Sequence, residues 1–217
     1  MRPALFLAAS LISSVAAGEA PDPIAIAIQH YAQIETYSVT LQSVQQDQDQ
    51  EQGQAQRIRY YFKKPGFVRM EFIQPHAGAV LVFSPLTQRV RLWPWGEAHF
   101  PELNLNPANP LILSATGQRV DHSDVGTLFE HVRALGEGGS TVAEDVLEGA
   151  LPLTHLTVTG PSGGTVGRVH SFDLWINVDT QFPTKIISRD LHGTMLETVI
   201  LDTLALNPPL PAALFEP

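Results

Sequence analysis

Residues 57–72 read RIRYYFKKPGFVRMEF, in which apolar and charged side chains alternate on both sides of Pro65-Gly66. Successive side chains of a β-strand point to opposite faces, so this alternation predicts two strands that each bury one face. The Pro-Gly pair is typical of a turn, which makes the two strands an antiparallel hairpin. Its apolar face carries Ile58, Tyr60, Phe62, Val68, Met70 and Phe72.

The strand pattern continues through much of the chain. Residues 79–83 (AVLVF) are apolar on both faces, which favours a central strand that is covered on both sides. Residues 97–109 are rich in Pro and Asn and are expected to be irregular, and the polar residues 47–54 predict an exposed hairpin tip. The short runs and tight turns predict a β-meander. Further strands are predicted at residues 38–46, 89–95, 153–159, 168–178, 183–190 and 195–206.

Two segments have the period of an amphipathic helix. The first is residues 23–37, for which Asp22 is the expected N-cap and Pro23 suits the first turn. The second is residues 123–135, with Ser123 or Asp121 as the expected cap. We expect the two helices to cover the apolar face of the sheet.

The N-terminus has the features of an export signal. Arg2 supplies a positive start, residues 4–15 are apolar, and Val15-Ala-Ala17 offers small residues at a cleavage position. The apolar run is too short to span a bilayer. We therefore expect residues 1–17 to be removed, and residues 21–217 to form one soluble domain in the periplasm.

The mature chain is acidic and contains no cysteine. Losing Arg2 leaves 13 − 1 = 12 Lys and Arg residues against 22 Asp and Glu residues, and 12 − 22 gives a formal charge of −10. This balance disfavours nucleic acid and anionic membrane surfaces as partners. Without cysteine, the sequence supports neither disulfides, nor thiolate chemistry, nor lipid attachment at an N-terminal cysteine.

The reactive side chains do not have the spacing of a catalytic or metal site. Residues 160–164 (GPSGG) match the G-x-S-x-G motif, but that motif needs a strand before the serine and a helix after it. Strands are predicted on both sides here, so we interpret Ser162 as part of a hairpin loop and rank a hydrolase last. The histidines are scattered, and Glu144, Asp145 and Glu148 are interpreted as solvated surface. The sequence predicts no catalytic residue, no metal and no cofactor.

The predicted sheet carries more apolar side chains than a simple sandwich needs. A curved sheet wrapped over helices leaves a seam that either packs shut or holds a ligand. Periodicity does not separate a core residue from a ligand contact, so both interpretations stay open. The candidate cavity residues are Val68, Met70, Phe72, Leu81, Phe83, Leu92, Leu174 and Ile176.

The sequence resembles the LolA family of periplasmic lipoprotein carriers, together with LolB and RseB-like proteins, over residues 22–216. The resemblance implies a mainly β fold with helices (α+β), in which one curved antiparallel sheet of about eleven strands forms an unclosed barrel. Helices would cover its concave face. The segments that carry the resemblance are KKPGFVRMEF (63–72), VLVF (80–83), LWIN (174–177), FPTKI (182–186) and LNPPLPAALF (206–215).

The resemblance also implies a function. Members of the family bind the acyl chains of lipoproteins, which predicts a monomeric, non-enzymatic carrier of acyl chains or another long apolar ligand. An inner-membrane donor and an outer-membrane acceptor would be its partners. Lys64 stands where carriers commonly have an Arg that contacts the lid. The alternative is a lipid or lipoprotein sensor of the RseB type, which is expected to need a second domain, and this favours the carrier.

Overall fold

The computed structural model describes residues 22–45, 54–114 and 117–216. Over these residues the chain forms two α-helices, α1 (Pro23–Tyr31) and α2 (Val125–Gly136), together with eleven strands. The strands are β1 (Thr36–Gln45), β2 (Gln54–Lys63), β3 (Phe67–Gln74), β4 (Val80–Ser84), β5 (Arg89–Trp93), β6 (Leu103–Leu105), β7 (Ser140–Glu148), β8 (Leu151–Thr159), β9 (Ser171–Asn177), β10 (Pro183–Arg189) and β11 (Met195–Leu206). The predicted export signal and most of the predicted hairpin tip, residues 1–17 and 47–53, lie outside the described residues.

The strands form one antiparallel sheet in the order β6-β5-β4-β3-β2-β1-β11-β10-β9-β8-β7. Two meanders, β1 to β6 and β7 to β11, meet where β1 pairs with β11, from Tyr37 opposite Leu206 to Gln45 opposite Glu197. In the described part of the chain the edge strands β6 and β7 do not pair with each other, so the sheet is not closed. The predicted fold class, an unclosed antiparallel sheet with helices, is confirmed.

One face of the sheet packs against both helices, and we call it the inner face. The predicted hairpin forms β2 and β3, and it contributes Tyr60 opposite Met70 and Phe62 opposite Val68 to this face. Helix α2 adds four side chains that are at most 7 % exposed, and α1 adds two more. Burying an aliphatic or aromatic side chain of this kind contributes about 1.5–3 kcal/mol, so this cluster is the main core. The helix side chains in the cluster are Ile24, Ala27, Val125, Phe129, Val132 and Leu135.

Helix α1 begins where the sequence predicts and ends earlier. The side chain of Asp22 accepts a hydrogen bond from the backbone N–H of Ile24 at 3.0 Å, which confirms the predicted cap. The helix ends at Tyr31 instead of residue 37, because the following N–H groups bond three residues back, as from Ile34 to the carbonyl of Tyr31 at 3.0 Å. Such tightened bonds commonly close the last turn of a helix.

The cap of α2 differs from the prediction. Asp124 is the N-cap, and its Oδ1 accepts hydrogen bonds from the N–H groups of Gly126 at 2.8 Å and Thr127 at 3.2 Å. The predicted caps were Ser123 and Asp121. Asp121 lies in a short 3-10 turn that precedes the helix, and Ser123 follows that turn directly. Three neighbouring residues offer suitable oxygen atoms, and the sequence alone did not distinguish among them.

The two edge strands were not predicted. Strand β7 lies in a region where the sequence indicates only a turn and an acidic cluster, because its residues are exposed on both faces and show no apolar alternation. Strand β6 has only three residues, within the stretch of Pro and Asn that we expected to be irregular. The described residues contain no helix of the length and apolar character needed to span a membrane.

The opposite face of the sheet carries a second, smaller core. Val80, Val82 and Trp93 are buried there against Phe215, which comes from the C-terminal segment and is 2 % exposed. This explains why residues 79–83 are apolar on both faces. One face of β4 belongs to the main core, and the C-terminal segment covers the other face.

Arg69 fixes the C-terminal segment in place. Its guanidinium is almost fully buried and bonds both carboxylate oxygens of Glu97, at 2.6 and 3.1 Å, and Glu71 at 2.8 Å. It also donates to the backbone carbonyl of Leu214 at 3.1 Å. A buried charge needs such partners, because an unpaired one is strongly destabilising.

We expect Phe215→Ala to lower the free energy of unfolding by about 3–5 kcal/mol, since it removes a buried aromatic ring and leaves a cavity. Glu216→Ala, at the exposed next position, is the matched control and should change stability by less than about 0.5 kcal/mol. Urea unfolding followed by tryptophan fluorescence measures both, and Trp93 lies in the affected cluster. Equal midpoints for the two variants would show that the C-terminal segment contributes no core.

Candidate functional site

All eight candidate cavity residues lie in the inner core. Five of them, Val68, Leu81, Phe83, Leu174 and Ile176, are at most 3 % exposed. Met70, Phe72 and Leu92 are partly buried and pack against the same cluster. The structure therefore brings the predicted residues together, beneath the helices and in contact with other side chains. Their role in ligand binding stays a prediction.

Open space lies beside the core, in a cleft of about 370 Å³ between the start of α1 and strands β7, β8 and β9. Ile176 is the candidate residue that reaches it, and Pro23 and Ile26 of α1 form the facing apolar wall. Asp145, Thr154 and Gln181 make its polar parts, and Ala143 completes the lining. The cleft is thus half apolar and half polar, and it lies at one edge of the sheet.

Sequence reasoning missed most of the cleft, although one signal was present. Ile26 is an apolar residue that lies off the apolar stripe of the predicted helix, and an isoleucine in that position can indicate a contact beyond the core. Ala143 and Asp145 belong to β7, which was not identified. Gln181 follows β9 in a turn, and its proximity to α1 depends on the tertiary fold.

Three tyrosines hold the N-terminal end of α2. The Tyr31 hydroxyl donates to Asp124 Oδ1 at 2.8 Å, and the Tyr37 hydroxyl accepts from the N–H of Val125 at 3.2 Å. Burial raises the pKa of Tyr31, Tyr37 and Tyr60, so these phenols stay neutral at physiological pH. The Tyr60 hydroxyl lies 3.0 Å from the Ser123 hydroxyl. These bonds connect α1 and the sheet to the cap of α2.

The contact between the helices depends on a glycine. The ring of Tyr31 packs edge-on against Phe129, with ring centres 6.2 Å apart. A Cβ atom added to Gly126 would lie 2.4 Å from the Tyr31 ring, a separation that carbon atoms do not reach without a shift. A larger residue at position 126 would therefore push α1 away from α2.

Lys64 links the β2–β3 turn to the segment that follows α1. Its Nζ donates to the carbonyl of Ala32 at 2.6 Å and lies 3.2 Å from a carboxylate oxygen of Glu35. Glu35 is largely exposed, and exposed ion pairs contribute roughly 0–1 kcal/mol. The ion pair therefore contributes little to stability. The lid contact that the resemblance implies for Lys64 stays a prediction.

A polar row interrupts the inner face near one end of β1 and β11. Gln45 lies opposite Glu197, and Ser188 of β10 lies on the other side of Glu197. Gln45 Nε2 donates to Glu197 Oε1 at 3.3 Å, and among the described residues Glu197 forms no ion pair. Burial raises the pKa of Glu197, because its charged form loses water without gaining a cation.

Ser162 lies in the turn between β8 and β9, so strands flank it on both sides as predicted. It is exposed, and no hydrogen bond joins it to a described residue. A strand-to-helix elbow, which the hydrolase motif requires, is not formed at this position. The loop is instead closed by the His170 ring, whose Nδ1 lies 2.7 Å from the carbonyl of Gly164.

Comparison with known proteins identifies the fold. No protein-family model and no curated protein matches the chain. An uncharacterized conserved protein from Thermus thermophilus has a TM-score of 0.52 at 11 % identity, over 89 % of this chain and 91 % of that chain. The described residues form one unclosed antiparallel sheet with two helices. This is the fold that the sequence resemblance implies, and at this identity the likeness concerns the fold alone.

Two further solved structures are similar at lower scores. A LolA superfamily protein from Nitrosomonas europaea has a TM-score of 0.39 at 11 % identity, over 88 % of this chain and 96 % of that chain. MucB, in the structure of the Pseudomonas aeruginosa MucA/MucB complex, has a TM-score of 0.47 at 16 % identity. That match covers 87 % of this chain and 60 % of the other.

We expect Gly126→Ala to destabilise the protein although alanine favours helices, because the new methyl group collides with the Tyr31 ring. Gly136→Ala, near the end of the same helix, meets only side-chain atoms at 3.3 and 3.4 Å and should be neutral or stabilising by up to about 1 kcal/mol. Thermal unfolding and hydrogen exchange of α1 measure both effects. Equal stability of the two variants would show that the α1–α2 contact tolerates the added volume.

We expect Glu197→Gln to stabilise the protein at pH 7.5 and to leave its stability nearly unchanged at pH 4. The folded-state pKa of Glu197 is raised, so ionisation disfavours folding as the pH rises above the ordinary glutamate range. The neutral amide removes that penalty and keeps the shape of the side chain. Melting temperatures at the two pH values test this. A variant that is less stable at pH 7.5 would contradict it.

Proposed function

We propose that this protein is a periplasmic carrier that binds the acyl chains of lipoproteins, or another long apolar ligand, and moves them toward the outer membrane. The observation that carries the proposal is the inner face, where an unclosed sheet presents one apolar cluster to two short helices. A cleft opens beside α1 at β7, one edge of that sheet. This arrangement supports reversible burial of an apolar ligand.

Acyl chains need such a cover to cross water. Each methylene group transferred from water to an apolar site contributes roughly 0.8 kcal/mol. Burial in the protein supplies this stabilisation without forming or breaking a covalent bond. The proposed function therefore needs binding and release, and it assigns no catalytic role to Ser162 or to the histidines.

The size of the cleft indicates how a long ligand would be held. At about 370 Å³ it lies at the small end of the usual range for ligand sites, roughly 300–1,000 Å³. A longer chain reaches Leu174 and Val68 only if the helices move away from the inner face, since these side chains are at most 2 % exposed. Ile176, which belongs to both the cleft and the core, is the point where the ligand passes from one to the other.

The polar contacts of the helices are compatible with movement of the helices away from the inner face. The bonds from Tyr31 to Asp124 and from Lys64 to Ala32 lie at helix ends, so they fix positions without filling the core. A ligand shifts the closed state toward the open state only by its difference in affinity for the two. These two hydrogen bonds involve charged groups and contribute about 1.5–3 kcal/mol each, which the burial of several methylene groups of an acyl chain offsets.

The proposed route begins at a donor in the inner membrane and ends at an acceptor in the outer membrane. The apolar run and small residues within positions 1–17 support export. The protein would act as a monomer in the periplasm, and its acidic charge would keep it apart from anionic membrane surfaces between the two transfers.

We expect Ala143→Trp to weaken binding of a fluorescent triacylated lipopeptide by about tenfold, since the indole would fill much of the cleft. The position is exposed, so the protein should still fold. Fluorescence titration of the full mature protein measures the affinity.

Val142→Trp is the matched control, because residue 142 lies on the opposite face of the same strand and is 54 % exposed. It adds the same side chain without entering the cleft and should bind the lipopeptide like the unmodified protein. Failure of the unmodified protein to bind any acyl probe would refute the proposed function. Equal loss in both variants would instead place the ligand outside this cleft.

A further inference from the structure

Strand β7 has an unusually accessible edge. It runs for nine residues, pairs with β8 along its whole length, and has no strand on its other side within the described residues. Its side chains are exposed on both faces, apart from a partly buried Val146. The opposite edge of the sheet, β6, has only three residues. The sheet therefore offers one long row of unpaired backbone groups, and it lies at β7.

The charged side chains of this strand are all acidic. Glu144, Asp145 and Glu148 carry three carboxylates within five positions, and none forms an ion pair with a described residue. Exposed apolar side chains lie beside and among them, with Val142 54 % and Leu147 76 % exposed. Charged residues on an edge strand oppose pairing with a second copy, because like charges would lie across from each other. The same charges favour a basic strand.

The edge is continuous with the cleft. Ala143 and Asp145 of β7 line the cleft with side chains from one face of the strand, while the backbone of the same residues forms the edge. A ligand that leaves the cleft past Asp145 therefore reaches the unpaired backbone of β7 directly. A free fatty acid has nothing to pair with that backbone, whereas a lipidated polypeptide has.

We propose that β7 pairs with an extended, basic segment of the polypeptide whose acyl group occupies the cleft, so that the cargo adds a twelfth strand to the sheet. This inference rests on the proposed function and names its ligand class as lipidated polypeptides instead of free lipids. Main-chain hydrogen bonds along an exposed sheet edge supply affinity in this mode, and alternate side chains supply preference. Lysines on the added strand would face Glu144 and Glu148.

The test compares two triacylated lipopeptides whose tails carry the same number of lysines. One tail alternates Lys and Thr and forms a strand readily, and the other alternates Lys and Pro, which removes every second backbone donor. We expect the Lys-Thr probe to bind about tenfold more tightly than the Lys-Pro probe. Equal affinities would overturn the inference and leave the proposed function standing.

A charge reversal tests the partner's chemistry. In the double variant Glu144→Lys and Glu148→Lys, the preference should invert, so that a Glu-Thr tail binds more tightly than the Lys-Thr tail. Neither substitution lies among the residues that line the cleft. An unchanged preference would overturn the assignment of a basic partner to this edge.

Two more outcomes separate the inference from the function on which it rests. Binding of the Lys-Thr peptide without its acyl group, together with no binding of any acyl probe, would refute the carrier and with it the lipidated cargo. Sedimentation of the protein alone shows whether β7 pairs with a second copy. A dimer that the Glu144→Lys, Glu148→Lys variant alters would overturn the inference, and a monomer is expected.

Discussion

The structure depends on covering the inner face of an open sheet. Because the eleven strands do not close into a barrel, the apolar side chains of the inner face are exposed to water unless another layer packs on them. Two short helices supply that layer, and Phe129 and Val132 of α2 are fully buried by it. The same burial stabilises the fold and creates the surface that an apolar ligand would use. A ligand bound at this face would therefore compete with the helices for one set of side chains.

Polar side chains contribute to the contacts that hold the helices on the inner face. Tyr31, Tyr37 and Tyr60 contact the start of α2 through neutral hydroxyls, and Gly126 allows the closest approach of the two helices. Glu197 is a different case, because burial disfavours the charged form of its carboxylate and raises its pKa in the folded protein. These groups act at the margins of an apolar layer. They hold the helices in position and contribute less to the stability of the layer than its apolar burial does.

The sequence predicted those parts of the molecule in which burial alternates along the chain. The hairpin at residues 57–72 and both helices follow from local pattern alone, because one buried face leaves a period of two or of about 3.6. Strand β4 is buried on both faces and follows instead from its short continuous apolar run. Strand β7 buries neither face and leaves no period, so the cleft that it lines was not predicted. The contact of Arg69 with Leu214 joins residues 145 positions apart, and no local signal reports such a distance.

The C-terminal segment covers one part of the sheet and leaves another exposed. Strand β4 is buried on both faces, with Leu81 and Phe83 in the main core and Val80 and Val82 against Phe215. Strand β7 faces α1 only across the cleft, and its side chains are exposed on both faces apart from the partly buried Val146. Regions with few buried contacts open locally at lower free energy than packed ones. We therefore expect β7, which borders the cleft, to exchange its backbone hydrogens sooner than β4 does.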